Sequence, residues 1–261
     1  ELKSHFAEYP NSQFYHKIIS GILQKNPTQA ALLELLEEQH ARKALSSNLT
    51  EILAGMHASC QNFEAALKIY EEIFEKNPQQ THLLKVILNL SLKSQNWQRA
   101  LEIADQLLSH QHMQSEEWLQ ILDRQTHNTS AFLFLKTNAY IRASKPDLAL
   151  QCMHQILEHK NPEDKSLLQE TLKKMLAAYP EMPEAELFGV KLEIEAEHYS
   201  EAVVRLNRLA KNSPALIDQV IQSYLSILQL YPGQILARQS LSEIYLIQNH
   251  FDSSLEQLSK L

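Results

Sequence analysis

Glycine is scarce in this chain of 261 residues; its four copies are Gly21, Gly55, Gly189 and Gly233. A loop that cradles phosphate needs clustered glycines so that the backbone can approach closely, and these four are scattered. An α/β enzyme of this length would use many more in its turns. The scarcity therefore favours an all-helical chain. Cysteine is rarer still. Cys60 and Cys152 lie far apart in segments of helical pattern. Both read as small buried hydrophobes, with reducing, cytosol-like surroundings favoured.

No apolar run reaches the roughly 20 residues that span a bilayer. Positive charge is not in excess either. The net charge of -7 disfavours nonspecific binding to nucleic acid or anionic lipid. The nucleophile-elbow signature Gly-x-Ser-x-Gly is absent, as are His-Glu-x-x-His and Cys-x-x-Cys. Carboxylates abound, but on amphipathic helices they read as solvated faces. No catalytic role is expected.

What is present is a repeat. "NFEAALKIYEEIFEKNP" (62–78) and "NWQRALEIADQLLSHQH" (96–112) share an aromatic followed three residues later by Ala, and Ala66 and Ala100 are 34 residues apart. "HYSEAVVRLNRLAKNSP" (198–214) repeats this around Tyr199 and Ala202. "HFDSSLEQLSKL" (250–261) repeats it around Phe251 and Ser254, and 145–162 is a looser copy around Ala149. A small residue suits the point where two helices cross closely.

Later spacings are longer. Ala100 to Ala149 is 49 residues, Ala149 to Ala202 is 53 and Ala202 to Ser254 is 52. Each exceeds 34 by about one helix and a turn. Amphipathic segments at 28–44, 115–125, 162–180 and 214–232 fill these gaps. The spacing predicts about fifteen helices, mostly in three-helix units of about 50 residues, with one two-helix unit at 79–112.

The triplet "KNP" recurs at Asn26-Pro27, Asn77-Pro78 and Asn161-Pro162, with "NSP" at Pro214. Proline cannot donate the next helical hydrogen bond and restricts the residue before it. Asn is expected to suit the turn there, and the preceding Lys the negative end of the helix dipole. The triplet reads as punctuation closing each second helix.

A 34-residue period with this signature resembles the tetratricopeptide repeat family over most of residues 47–261. Leu53-Ala54, Phe63, Ala66, Tyr70, Ile73 and Pro78 fit its pattern, although His57 stands where the family has an aromatic. Leu241-Ser242, Tyr245, Phe251, Ser254 and Leu258 match well in the last unit. The resemblance implies an all-α, right-handed superhelical solenoid. It reads as a single domain over 1–261, with a weak sub-boundary in the polar stretch 111–130.

The resemblance also implies a non-enzymatic scaffold that binds a partner protein or peptide on its concave face. In such arrays the first helix of each pair lines that face. The corresponding residues are Glu51 and Gly55, then His82, Lys85 and Asn89, then Phe134, Asn138 and Ile141, then Glu186 and Glu193, then Gln239 and Glu243. Lys85 and Asn89 sit where carboxylate-clamp members of the family grip a peptide C-terminus, but neighbouring units lack the remaining clamp residues. Residues 181–201 hold seven glutamates and one lysine, a candidate docking surface for a basic segment or simply a solvated face.

"LLKVILNLSLKSQNWQRALEIADQLL" (83–108) is similar to a segment of the bacterial lipopolysaccharide assembly protein B family. Those proteins are membrane-anchored on the cytoplasmic side and carry a zinc ribbon; neither anchor nor ribbon is in this chain. The chain starts at Glu1, not Met, and stops within a helical pattern, so it is expected to be a piece of a longer protein. Two alternatives stand beside the scaffold: a self-assembling structural module, and a regulatory array attached to an anchor or an enzyme. No cofactor is expected. His110-x-His112 and Cys152-x-His154 with His159 are the closest candidate ligands. Helical residues two apart point about 200° apart, so no metal site is expected.

Overall fold

The structure is a computed structural model and describes residues 17–19, 21, 22 and 30–261. The first "KNP", at Asn26-Pro27, lies outside them. Among the described residues there is no strand. Fourteen α-helices with defined bounds follow one another among these residues, together with one 3-10 turn at Pro214–Leu216. They are α1 (Ala30–Ala41), α2 (Ser47–Ser59), α3 (Phe63–Lys76), α4 (His82–Lys93), α5 (Trp97–Ser109), α6 (Ser115–Asp123) and α7 (Ser130–Arg142). Then come α8 (Pro146–Glu158), α9 (Asp164–Ala178), α10 (Pro183–Glu195), α11 (Tyr199–Asn212), α12 (Ile217–Leu230), α13 (Ile235–Ile247) and α14 (Phe251–Leu258). The architecture is tetratricopeptide-like: helical hairpins stacked in sequence order within each unit.

Five tight hairpins stand out: α2–α3, α4–α5, α7–α8, α10–α11 and α13–α14. At each crossing the small residue is enclosed. Ala66, Ala100, Ala149 and Ala202 are fully buried and Ser254 nearly so. The single helices α6, α9 and α12 fall between the later pairs, and only α3 leads directly into α4. The unequal spacings of the repeat are therefore one extra helix each.

The chain divides into two compact units between Ile121 and Leu122, inside the polar 111–130 stretch. The core of the first gathers Leu36, Leu49, Leu53, Ile69, Ile73 and Leu83 from α1 to α4. A core of the second gathers Val190, Leu206, Val220, Tyr224, Ile227 and Leu241 from α10 to α13.

Two kinds of turn join the helices. Inside the pairs the chain reverses through one residue with positive φ: Gln61, Gln95, Ser144, Glu197 and Asn249, all between 56° and 61°. The next amide donates back to the first helix, as Asn62 N to His57 O and His198 N to Glu193 O, which closes its open carbonyls. Glycine is the least strained residue at such a position, yet none of the described glycines occupies one. The low glycine count thus reflects other residues in left-handed turns, not turns that need no left-handed residue. Asn62 and Asn96 then cap the second helix, their side-chain oxygens accepting from Ala65 N and Arg99 N.

The second kind ends on proline. Asn77, Tyr179, Ser213 and Tyr231 all adopt φ between -138° and -133° with ψ between 70° and 84°. This corrects the expected role of Asn. The conformation before proline lies at negative φ, open to any residue, and tyrosine serves twice. Only at Asn161-Pro162 does the turn use a left-handed residue, and it is Lys160, at 53°.

Candidate interaction surface

The expected inward positions fall into three groups. In the first unit Glu51, His82, Lys85 and Asn89 are exposed. His82, Lys85 and Asn89, three and four residues apart on α4, share one side of that helix. Lys85 Nζ donates to Glu117 Oε1 at 3.1 Å, with both side chains about half exposed. A pair this exposed contributes about 0–1 kcal/mol. Gly55 is half-buried, and a Cβ there would lie 3.9 Å from the Tyr70 hydroxyl. Burial, followed by the charge of Glu51, pushes the Tyr70 hydroxyl pKa up.

In the second unit the Phe134 assignment is corrected. Phe134 is packed into the core at 6% exposure and does not face a groove. Asn138 spends its amide on its own helix, Nδ2 donating to Phe134 O at 2.9 Å. Ile141 is half-buried, and its carbonyl accepts from the Tyr179 hydroxyl at 2.7 Å. Four consecutive residues of α7, Phe132, Leu133, Phe134 and Leu135, are buried, so the first turns of this helix are enclosed on every side.

Glu186 and Glu193, one above the other on α10, are joined through Arg205 of α11, and Arg208 adds a second cation at Glu186. Arg205 donates from Nη2 and Nε to Glu193 Oε1, at 2.7 Å and 3.0 Å, and from Nη1 to Glu186 Oε2. Arg208 Nη2 donates to both oxygens of Glu186 at 2.8 Å. Burial works against the Arg205 charge, but the hydrogen bonds to Glu193 and Glu186 outweigh it and hold the guanidinium above its usual pKa. Gly189 makes room for this: a Cβ there would stand 3.1 Å from the Arg205 guanidinium carbon.

Glu193 Oε2 is enclosed and accepts no hydrogen bond. Glu193 also lines a cavity of about 240 Å³ whose polar wall is formed with Gln169, Lys173, His198, Glu201 and Arg205. A depression of about 410 Å³ reaches Glu186 and Arg208, and another of about 460 Å³ reaches Glu193, Arg205 and Arg208. Three hollows of the second unit therefore meet at one ion-pair network. Arg205, Arg208 and Gly189 were not among the residues expected from the sequence. The signal was present as Glu at seven-residue spacing on α10 facing Arg at three-residue spacing on α11. Gln239 and Glu243 are exposed on α13.

Two cysteine and histidine expectations change. Cys152 is buried, and burial pushes its thiol up, but Cys60 is exposed at the end of α2. His110 and His112 do not point apart. α5 ends at Ser109 and Gln111 turns left-handed, which brings the two imidazoles into a parallel stack with centroids 6.2 Å apart. No group of three or more metal-ligating side chains occurs among the described residues. His57, standing in place of the family aromatic, is buried with Nε2 3.3 Å from Glu37 Oε1.

No family model and no curated protein matches the chain. Solved structures similar to it include the P58(IPK) TPR domain, at 13% identity over 94% of this chain and 91% of that one, TM-score 0.31. A thermophilic TPR protein of Thermus thermophilus, TTC0263, is similar at 17% identity over 82% and 89%, TM-score 0.25. YrrB, described as a TPR protein with an unusual peptide-binding site, is similar at 12% identity over 86% and 89%, TM-score 0.24. The assignment of this fold rests on the chain's own hairpins, crossings and spacings.

Proposed function

We propose that this chain is a non-enzymatic interaction scaffold that holds a basic segment of a partner protein against α10 and α11. The observation that carries this is the Glu193 Oε2 atom, enclosed without a donor beside a cavity of about 240 Å³. An unmatched buried acceptor costs about 1–3 kcal/mol, and a shift of the surrounding side chains that lets a partner's lysine, arginine or amide donor reach it recovers that cost. Glu181, Glu184, Glu195, Glu197 and Glu201 are exposed or partly exposed nearby in sequence. They speed the approach of a basic segment and reject an acidic one. On this reading His82, Lys85 and Asn89 form a separate polar face of the first unit, available for contact.

Selection of displayed random peptides against the chain tests this. Enriched peptides are expected to be rich in Lys and Arg, to lose affinity with added salt, and to bind about tenfold more weakly to Glu193→Gln. Enrichment of acidic peptides, or equal binding by Glu193→Gln and Glu201→Gln at unchanged helicity, overturns the proposal.

A further inference from the structure

The cavity lined by Glu193 lies within one unit, between α9, α10 and α11, and its donors and acceptors are unequally used. Arg205 Nε and Nη2 both donate to Glu193 Oε1, so that oxygen is taken up. Oε2 accepts nothing. Both oxygens of the neighbouring Glu186 are engaged by Arg205 and Arg208. An incoming cation therefore finds one open oxygen on Glu193 and no open pair on Glu186.

The rest of the lining suits a long aliphatic stem. Leu172, Leu176 and Leu192 form the apolar part of the wall, and Gly189 adds no side chain to it. Leu172 and Leu192 are buried and Leu176 is half-buried. Gln169 and Glu201 add acceptors to those of Glu193. Of the cations in the wall, Arg205 is committed to Glu186 and Glu193, and Lys173 is exposed, so its ammonium can turn outward to solvent. The volume of about 240 Å³ is below the roughly 300–1,000 Å³ of a drug-sized ligand site and fits a single side chain.

A guanidinium is a planar fork whose strongest pairing uses both oxygens of one carboxylate. Glu193 cannot give both. Glu201 can, but it is exposed, where an ion pair gains little. An ammonium is a compact charge with three rotatable donors. It can bond Glu193 Oε2, Glu201 and Gln169 one by one while its stem lies on the leucines. We infer that this cavity is a lysine-selective pocket, taking one lysine side chain of a partner's basic segment in preference to arginine. The inference rests on the basic-segment function proposed above and adds the side chain that enters. A shift of the side chains around Glu193 opens Oε2 to the ammonium.

The probes are blocked synthetic peptides of equal length, one alternating Lys with Ala and the other Arg with Ala, titrated into the whole chain by fluorescence anisotropy. Their charges are equal, so the attraction of the surface glutamates cancels in the comparison. The lysine peptide is expected to bind about tenfold more tightly. Acetylating its Nζ atoms removes the charge and is expected to abolish binding. Glu193→Gln is expected to cut the preference to less than about twofold, because the lysine peptide alone loses affinity. Should that variant lose helicity, the ratio on the unaltered chain decides alone. Equal or tighter binding of the arginine peptide overturns the lysine pocket and leaves the basic-segment function standing. A lysine preference that survives Glu193→Gln at unchanged helicity also overturns the pocket, since the discrimination then arises elsewhere. Binding of neither peptide overturns both.

Discussion

The pairs α10–α11 and α13–α14 lie 52 residues apart in register and solve the same packing problem with different chemistry. In the earlier pair the crossing is apolar, with Val190 facing Ala202, and the helices are tied by the Glu186–Arg205–Glu193 network. In the later pair Ser242 and Ser254 take those crossing positions and share a buried hydrogen bond of 2.7 Å. Arg238 stands where Glu186 stood and Gln257 where Arg205 stood, and Arg238 Nη1 donates to Gln257 Oε1 at 3.2 Å. The hairpin therefore needs a small residue at the crossing and some bond between the flanks. It does not need a particular bond. α12 packs on the first pair, and Leu255 and Leu258 of the second are exposed among the described residues.

Removing an equivalent leucine from each pair should break the comparison most strongly. Leu206→Ala is expected to cost about 2–5 kcal/mol, because its site is fully enclosed and leaves a cavity. Leu258→Ala, at 43% exposure, is expected to cost less than about 1 kcal/mol. Urea unfolding followed by circular dichroism reads both; equal losses would mean that Leu258 is covered in solution.

The cross-links come next. Arg205→Met leaves Glu186 and Glu193 without their shared cation, in a site that is only partly exposed, and is expected to cost about 2 kcal/mol. Gln257→Met removes one hydrogen bond to an arginine that also donates to Pro232 O, and is expected to cost about 0.5–1 kcal/mol. The same unfolding measurement checks the order. A larger loss at Gln257 would show that the neutral bond is the stronger tie.

The smallest effects lie in the turns. Glu197 and Asn249 are register partners, both at φ 61°. Glu197→Gly is expected to raise stability by about 0.5–1 kcal/mol, since it relieves a left-handed side chain. Asn249→Gly should raise it by less, because Asn tolerates that region better than Glu. A shift in Tm of opposite sign at Glu197 would mean that its carboxylate makes a contact worth more than the relief.

Helix count, the five crossing residues and the extra helix per unit were legible in the sequence because each is local. Periodicity of three and four residues sets a helix, Ala or Ser marks a crossing, and proline marks an end. Which side chains stand open to solvent was legible only in part. Lys85 and Asn89 are exposed, but Phe134 is core, because Phe132 to Leu135 of α7 are buried in succession and position within a repeat says nothing about that. The His110–His112 stack was misread for a related reason. A helical angle was applied to residues that straddle a left-handed turn at Gln111.

By itself the sequence determined an all-helical chain of paired helices with single helices between them, since hydrogen bonding within a helix and apolar spacing depend only on neighbours along the chain. Tertiary structure alone decided that Arg205 binds both Glu193 and Glu186, that Gly189 gives it room, and that one oxygen of Glu193 is left without a donor. It alone decided that α12 covers Val203, Leu206 and Leu209. The physical reason is the same in each case: a side chain's residue type sets what it can bond or bury against, but only the packing of distant helices supplies or withholds the partner.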